Sequence, residues 1–157
     1  MGHRSCPGPA VMSRVRSPQI LAFMTPFPFS IDIEAPLAEA HAFLRERQIR
    51  HLPVTRNGEL AGILTDRDIK LALGPDLGSP PECELRVGDV YQPDSYVVDA
   101  AERLEDVATS MAERHVGSAL VTRGGKLVGI FTTTDACRAL ARILSDQHPD
   151  PGPDRVA

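Results

Sequence analysis

Apolar positions along this chain change their period several times, and each change recurs farther on. Leu37, Ala40, Leu44 and Gln48 follow one another at three- and four-residue spacing, the stripe of a helix with one face turned inward, and Pro36 suits its first turn. From His51 the pattern tightens. His51-Leu-Pro-Val-Thr55 and Leu60-Ala-Gly-Ile-Leu-Thr65 are short aliphatic runs separated by Asn57-Gly58, the strongest short signal for a two-residue hairpin turn. A short strand is expected at residues 29–31, ahead of the helix, and a second helix at 68–73. The predicted unit is β-α-β-β-α.

The unit occurs twice. Residues 23–73 set over 90–140, an offset of 67, align without a gap, and sixteen pairs are identical, among them Pro26/Pro93, Leu37/Leu104, Val54/Val121, Gly62/Gly129, Thr65/Thr132 and Asp68/Asp135. Average composition would give about three. In the second copy a strand is expected at 96–98, a helix carries Leu104, Val107, Ala108 and Met111, Gly124-Gly125 makes the hairpin turn, and a final helix covers 135–144. One copy would leave a face of its small sheet exposed. Two copies packed sheet to sheet would bury it, with pseudo-twofold symmetry, in a mixed α/β (α+β) fold.

The intervening Gly-, Pro- and acid-rich stretch reads as a linker. The expected boundaries are a tail at 1–17, repeat 1 at 18–73, a linker at 74–86, repeat 2 at 87–144 and a tail at 145–157. Composition adds limits. The chain has 157 residues, 42% hydrophobic, with five Phe, two Tyr and no Trp, so its core is expected to be aliphatic. The formal charge of −4 gives no electrostatic case for nucleic acid or an anionic membrane. Nor does any stretch approach the roughly 20 apolar residues of a membrane span. Cys6, Cys83 and Cys137 are far apart and make no CxxC pair, so the reading is reduced thiols in a cytoplasmic protein.

The strongest chemical signal is the matched pair Gly62-Ile-Leu-Thr65-Asp-Arg-Asp68 and Gly129-Ile-Phe-Thr132-Thr-Thr-Asp135. Each ends an apolar strand in Thr and sets an Asp three residues later at a helix start. A hydroxyl and free backbone N–H groups at a helix N-terminus suit a phosphate, and the carboxylate can accept from ribose hydroxyls. The same Thr-x-x-Asp spacing is that of a capping box, which needs no ligand. Its duplication at identical repeat positions points to a site.

This order of motifs, with Leu-Pro-Val-Thr, Asn-Gly and Leu-x-Gly-Ile-Leu-Thr-x-x-Asp, resembles CBS domains, which occur in tandem as Bateman modules. The resemblance covers about residues 20–144 and is to a stand-alone two-repeat type. It implies two clefts between the repeats that take adenosine-type ligands: AMP, ADP, ATP, NAD or S-adenosylmethionine. Carried onto this chain, one cleft joins Thr65, Arg67 and Asp68 to Tyr96, Val97 and Val98. The other joins Thr132, Thr134 and Asp135 to Phe29, Ser30 and Ile31. The basic pair that the family's adenylate sensors place before Leu-Pro-Val stands here as Arg50-His51, but Gly117-Ser118 stands in the second repeat, which implies unequal clefts.

The function expected is that of a regulatory sensor without a catalytic cofactor, an adenine nucleotide being its ligand. It would act as a homodimer on an unidentified partner protein. The alternative is a ligand-independent scaffold. An enzyme acting on nucleotides would need a nucleophile and base in contact, and the sequence has no such constellation: Ser118 lies in an apolar strand and there is no G-x-S-x-G elbow. His41 reads as packing or solvent exposure on its helix. His3, His41 and His148 have no nearby partner suited to a metal.

Overall fold

The structure, a computed structural model, describes residues 18–26, 28–74 and 85–147. The expected tail at 1–17, most of the linker and the end of the C-terminal tail lie outside the described residues. The chain begins with a 3-10 turn at Ile20–Ala22 and β1 at Thr25–Pro26, followed by β2 (Ile31–Asp32), α1 (Leu37–Arg47), β3 (His51–Arg56), β4 (Glu59–Thr65) and α2 (Asp66–Leu73). A second 3-10 turn at Val87–Asp89 precedes β5 (Val97–Asp99), α3 (Leu104–Glu113), β6 (Ser118–Arg123), β7 (Lys126–Thr132) and α4 (Thr133–Gln147).

Each repeat holds a parallel first pair and an antiparallel hairpin, β2-β3-β4 and β5-β6-β7, as the period-two runs require. Both hairpins turn through two residues in the left-handed region, Asn57 (φ 53°) and Gly58 (φ 82°), then Gly124 (φ 58°) and Gly125 (φ 77°). That is the twist that two-residue turns between right-twisted strands demand. Both also carry a bulge at the same place, Val54/Thr55 and Val121/Thr122.

Alternation along the strands builds three apolar clusters. Leu52, Val54 and Leu64 face α1 and α2 together with Leu37, Ala40, Leu44 and Ile69. Ala119, Val121 and Phe131 face α3 and α4 with Leu104, Val107, Met111 and Ala139. The opposite faces of the two sheets meet through Ile63, Leu120 and Ile130, flanked by Leu60 and Leu127. Each sheet is thus covered on both sides, by its helices and by the other sheet, which is why the hairpin strands read as unbroken apolar runs. This is the packed pair expected from the duplication.

Several local expectations shift. The α2 and α4 helices start two residues earlier than the sequence pattern suggests, because Thr65 caps α2 and Thr132 ends β7 directly before α4. The α4 helix also runs on to Gln147. Gln48 does not continue the buried stripe of α1: it is exposed and turns the chain at φ 53° as the C-cap, and His115, one residue beyond the C-cap of α3, takes the same left-handed conformation at φ 55°. The first strands begin at Ile31 and Val97, leaving Phe29, Ser30 and Tyr96 outside them.

The chain also crosses between repeats. Ile20 is fully buried in the core of the second repeat, and β1 pairs antiparallel with β7. Sixty-seven residues later, Val87 is fully buried in the core of the first repeat, and Gln92 bridges to Ile63 of β4. Matching backbone bonds anchor the exchange, Ile20 N–H to Glu102 O (2.8 Å) and Val87 N–H to Ala35 O (2.9 Å). Each sheet therefore ends on a segment that precedes the other repeat.

Candidate functional site

The strands β4 and β7 end beside one another, and both deliver a Thr to a helix start. Thr65 Oγ1 accepts from Asp68 N–H (3.2 Å), while Asp68 Oδ2 accepts from Thr65 N–H (2.9 Å) and from the Thr65 hydroxyl (2.5 Å). Thr132 and Asp135 repeat the arrangement at 3.3, 2.9 and 2.7 Å. The capping box is complete at both sites, and it consumes one oxygen of each carboxylate.

The other oxygen meets groups outside the cap. Asp68 Oδ1 accepts from Gln92 Nε2 at 3.3 Å. Asp135 Oδ1 accepts from Thr25 Oγ1 at 3.4 Å and from Arg138 Nη1 at 3.2 Å. Gln92 and Thr25 stand 67 residues apart, at the same repeat position, and both reach their Asp by the crossover. The two Asp residues are not equivalent: Asp135 is the one buried charged side chain among the described residues, at 6% exposure, whereas Asp68 is half-buried.

Two open clefts flank these caps. One, of about 550 Å³, is lined by Arg50, His51, Thr65, Asp66, Arg67, Lys70 and Gly117. The other, of about 510 Å³, is lined by Thr25, Gln48, Ile49, Arg50, His51, Ile130, Thr132, Thr133, Thr134, Asp135 and Arg138. Arg50 and His51 border both. They do not belong to the first cleft alone, as a basic pair read within the first repeat would suggest. They sit at the start of β3, where the repeats face each other, and the Arg50 carbonyl accepts the Asp66 N–H (3.1 Å) as the Gly117 carbonyl accepts that of Thr133 (3.1 Å).

His51 packs across this boundary onto Gly117. A Cβ at Gly117 would lie 3.2 Å from His51 Nε2. Burial there pushes the imidazole pKa below its ordinary 6.5, the Arg50 charge pushes it the same way, and Asp68 opposes both. In the first cleft Lys70 is tied to Asp66 (2.6 Å).

Of the residues implied by the resemblance, Thr65 and Arg67 line the first cleft and Thr132, Thr134 and Asp135 the second, each with the expected Arg50 and His51, whereas Asp68 is bonded to Thr65 but is not part of the first cleft's lining. The second halves fall elsewhere. Ile31 is buried in the first repeat's own core opposite Val54, and Val98 in the second's opposite Val121. Phe29 stands edge-on to Phe43, 5.3 Å between ring centroids, under the Arg47 guanidinium. Ser30 lines a separate cavity of about 860 Å³ between the hairpin turns, with Gly58 and Gly125. Tyr96 lies beneath Arg114 and packs on the second core, and Val97 is exposed. The reason is the crossover: the chain reaches the opposite repeat at Thr25 and Gln92, several residues before the first strands. Thr25, Gln92 and Arg138 were therefore not anticipated. The repeated Pro26/Pro93 directly after Thr25 and Gln92 was the signal that marked the crossing.

Among the described residues no cluster of three or more His, Cys, Asp or Glu is suited to a metal ion, and no helix is long and apolar enough to cross a membrane.

Comparison with known proteins agrees with the duplicated architecture. The family model of the CBS domain matches residues 19–74 and again 87–142. Hypoxic response protein 1 of Mycobacterium tuberculosis is 33% identical over 105 residues, which cover 66% of this chain and 72% of that protein. A Vibrio cholerae protein named for acetoin utilization (AcuB) has the same fold, with a TM-score of 0.75 at 25% identity over 85% of this chain and 98% of its own. CBSX2, crystallised in complex with AMP, aligns with a TM-score of 0.70 at 27% identity over 80% of this chain and 98% of its own.

Proposed function

This chain belongs to the CBS-domain family as a tandem pair, and from that premise we propose that it is a cytoplasmic sensor of adenosine-type nucleotides that signals to a partner protein. Proteins of this family are generally regulatory rather than catalytic. The observation that carries the reading is the duplicated carboxylate. Asp68 and Asp135 each spend one oxygen on a helix cap and offer the other to the Gln92 or Thr25 side chain, and Asp135 and Thr25 line a cleft, within a module whose relative CBSX2 was crystallised with AMP. In this reading Oδ1 accepts ribose hydroxyls, Thr65 and Thr132 border the sugar, and Arg50, His51 and Arg67 meet phosphate. A ligand that touches both repeats is bound more tightly by one inter-repeat angle than by another, and that difference is the signal.

The module is proposed to act as a homodimer. Leu71 on α2 and Leu140 and Leu144 on α4 are exposed at 72%, 58% and 47%, an apolar surface that a second copy would cover. The competing reading is a scaffold with unused clefts, and the complete capping boxes favour it to the extent that they give both Asp residues a structural role. Thermal-shift titration with AMP, ADP, ATP, NAD and S-adenosylmethionine separates the two. A bound ligand at 100 times its Kd adds about 2.7 kcal/mol of stability, and no shift with any of the five leaves the scaffold.

A further inference from the structure

The two repeats differ three residues beyond each capping aspartate. The second repeat has Arg138 there, and the first has Leu71. Arg138 lines its cleft and donates from Nη1 to Asp135 Oδ1 at 3.2 Å. Its side chain is 75% exposed while that of Asp135 is 7% exposed, so an exposed cation is paired with a buried carboxylate. Thr25 donates to the same oxygen, and Oδ2 is held by the cap. Asp68 has the same cap but no arginine at the corresponding position. Its Oδ1 meets the neutral amide of Gln92, and Leu71 points an apolar side chain to solvent.

Resting on the reading of Asp135 as a ribose acceptor, we propose that Arg138 makes the second cleft selective for phosphorylated adenosine ligands over the uncharged nucleoside. In the free cleft it holds Asp135 Oδ1; when a ribose hydroxyl takes that oxygen, the guanidinium passes to the ligand's phosphate. A bare nucleoside takes away the charged partner of Arg138 and supplies none. A phosphate returns one, in the forked geometry that guanidinium prefers, in a cleft that Arg50 also lines.

The test compares AMP and adenosine by calorimetric titration of the Asp68→Ala chain, with and without Arg138→Leu. The amide shifts of Thr132 and Asp135 in the otherwise unsubstituted protein report the same cleft without the Asp68 change. Arg138→Leu should lower the AMP-to-adenosine affinity ratio about tenfold, as expected for loss of one charged hydrogen bond, through weaker AMP and unchanged or tighter adenosine. Arg138→Lys should keep part of the ratio. Equal weakening of both ligands would make Arg138 a support for Asp135 only, and an unchanged ratio would remove it from ligand selection; either overturns the proposal. If the unsubstituted chain binds neither ligand, this proposal falls, while the nucleotide reading falls only if the five-ligand titration also shows no shift. If it binds them while the amides of Thr132 and Asp135 stay still, only the role of the second cleft falls.

Discussion

Glycines 62 and 129 occupy the same repeat position, yet the crossover gives them different neighbours, so the same substitution should cost very different amounts. A Cβ at Gly62 would overlap the Gln92 backbone carbonyl oxygen, with Tyr91 Cδ2 at 2.9 Å and Gln92 C at 3.0 Å. That backbone cannot move alone: Gln92 N–H donates to Ile63 O (2.7 Å) and Ile63 N–H to Gln92 O (3.0 Å). A Cβ at Gly129 would instead overlap the sulfur of Met24, the far end of a flexible side chain. Gly62→Ala therefore requires about 1–3 kcal/mol for the displaced backbone and about 0.5–1.5 kcal/mol for each bridging hydrogen bond that breaks. Against this stands about 0.4–1 kcal/mol gained by stiffening the unfolded chain. The expected net loss is about 2–4 kcal/mol, against about 1 kcal/mol or less for Gly129→Ala. Urea denaturation of both variants reads the difference, and hydrogen exchange at the Ile63 and Gln92 amides should rise selectively in Gly62→Ala. Equal costs would mean that Gln92 does not pair with β4 as described, and the assignment of Gln92 to Asp68 would go with it.

Three further outcomes follow from the same contacts. Asp135→Ala should destabilise by about 1–2 kcal/mol and Asp68→Ala by about 1 kcal/mol, since each loses a capping box while Asp135 also leaves Thr25 and Arg138 without an acceptor; thermal melts that rank Asp68 as the costlier change would contradict this. The folded-state pKa of His51 lies below 6.5, so the unfolded chain binds more protons just below that value. Its contribution to stability is present above pH 6.5 and lost as pH falls through the folded pKa, and His51→Gln should flatten the stability profile in that window. Light scattering at micromolar concentration should give twice 17.0 kDa, and Leu140→Asp should shift it toward one chain.

The hairpins were the most legible part of the fold because their signals are local. Asn57-Gly58 and Gly124-Gly125 require a left-handed turn wherever they stand, and the flanking aliphatic runs have few alternatives. The stripes of α1 and α3 were legible for the same reason. The crossover was not, because Ile20 and Val87 each bury one residue from a single 3-10 turn, too short to show a period. One missed topological fact then displaced half of each expected cleft. The Thr and Asp residues, set by spacing within one strand-to-helix junction, were placed correctly relative to each other. Their partners, set by which sheet the preceding segment joins, were not.

The departure of the two repeats at Arg50-His51 and Gly117-Ser118 has a geometric cause once the halves are assembled. Residues near a pseudo-twofold axis face their own repeat counterparts, so side chains that fit once need not fit twice. His51 reaches over Gly117, the counterpart of Arg50, with only 3.2 Å between Nε2 and a Cβ added there. An arginine at 117 would evict the imidazole, and a second cationic pair would set guanidinium against guanidinium in a half-buried space. The sequence is asymmetric at this point because the space is shared. Under the nucleotide reading this one basic pair is shared by both clefts, since Arg50 and His51 line each of them. Occupancy of one cleft by an anion then draws on charge that the other would also use. Two phosphorylated ligands bound together should bind less tightly than either alone, whereas a phosphorylated ligand and an uncharged nucleoside should not compete in this way.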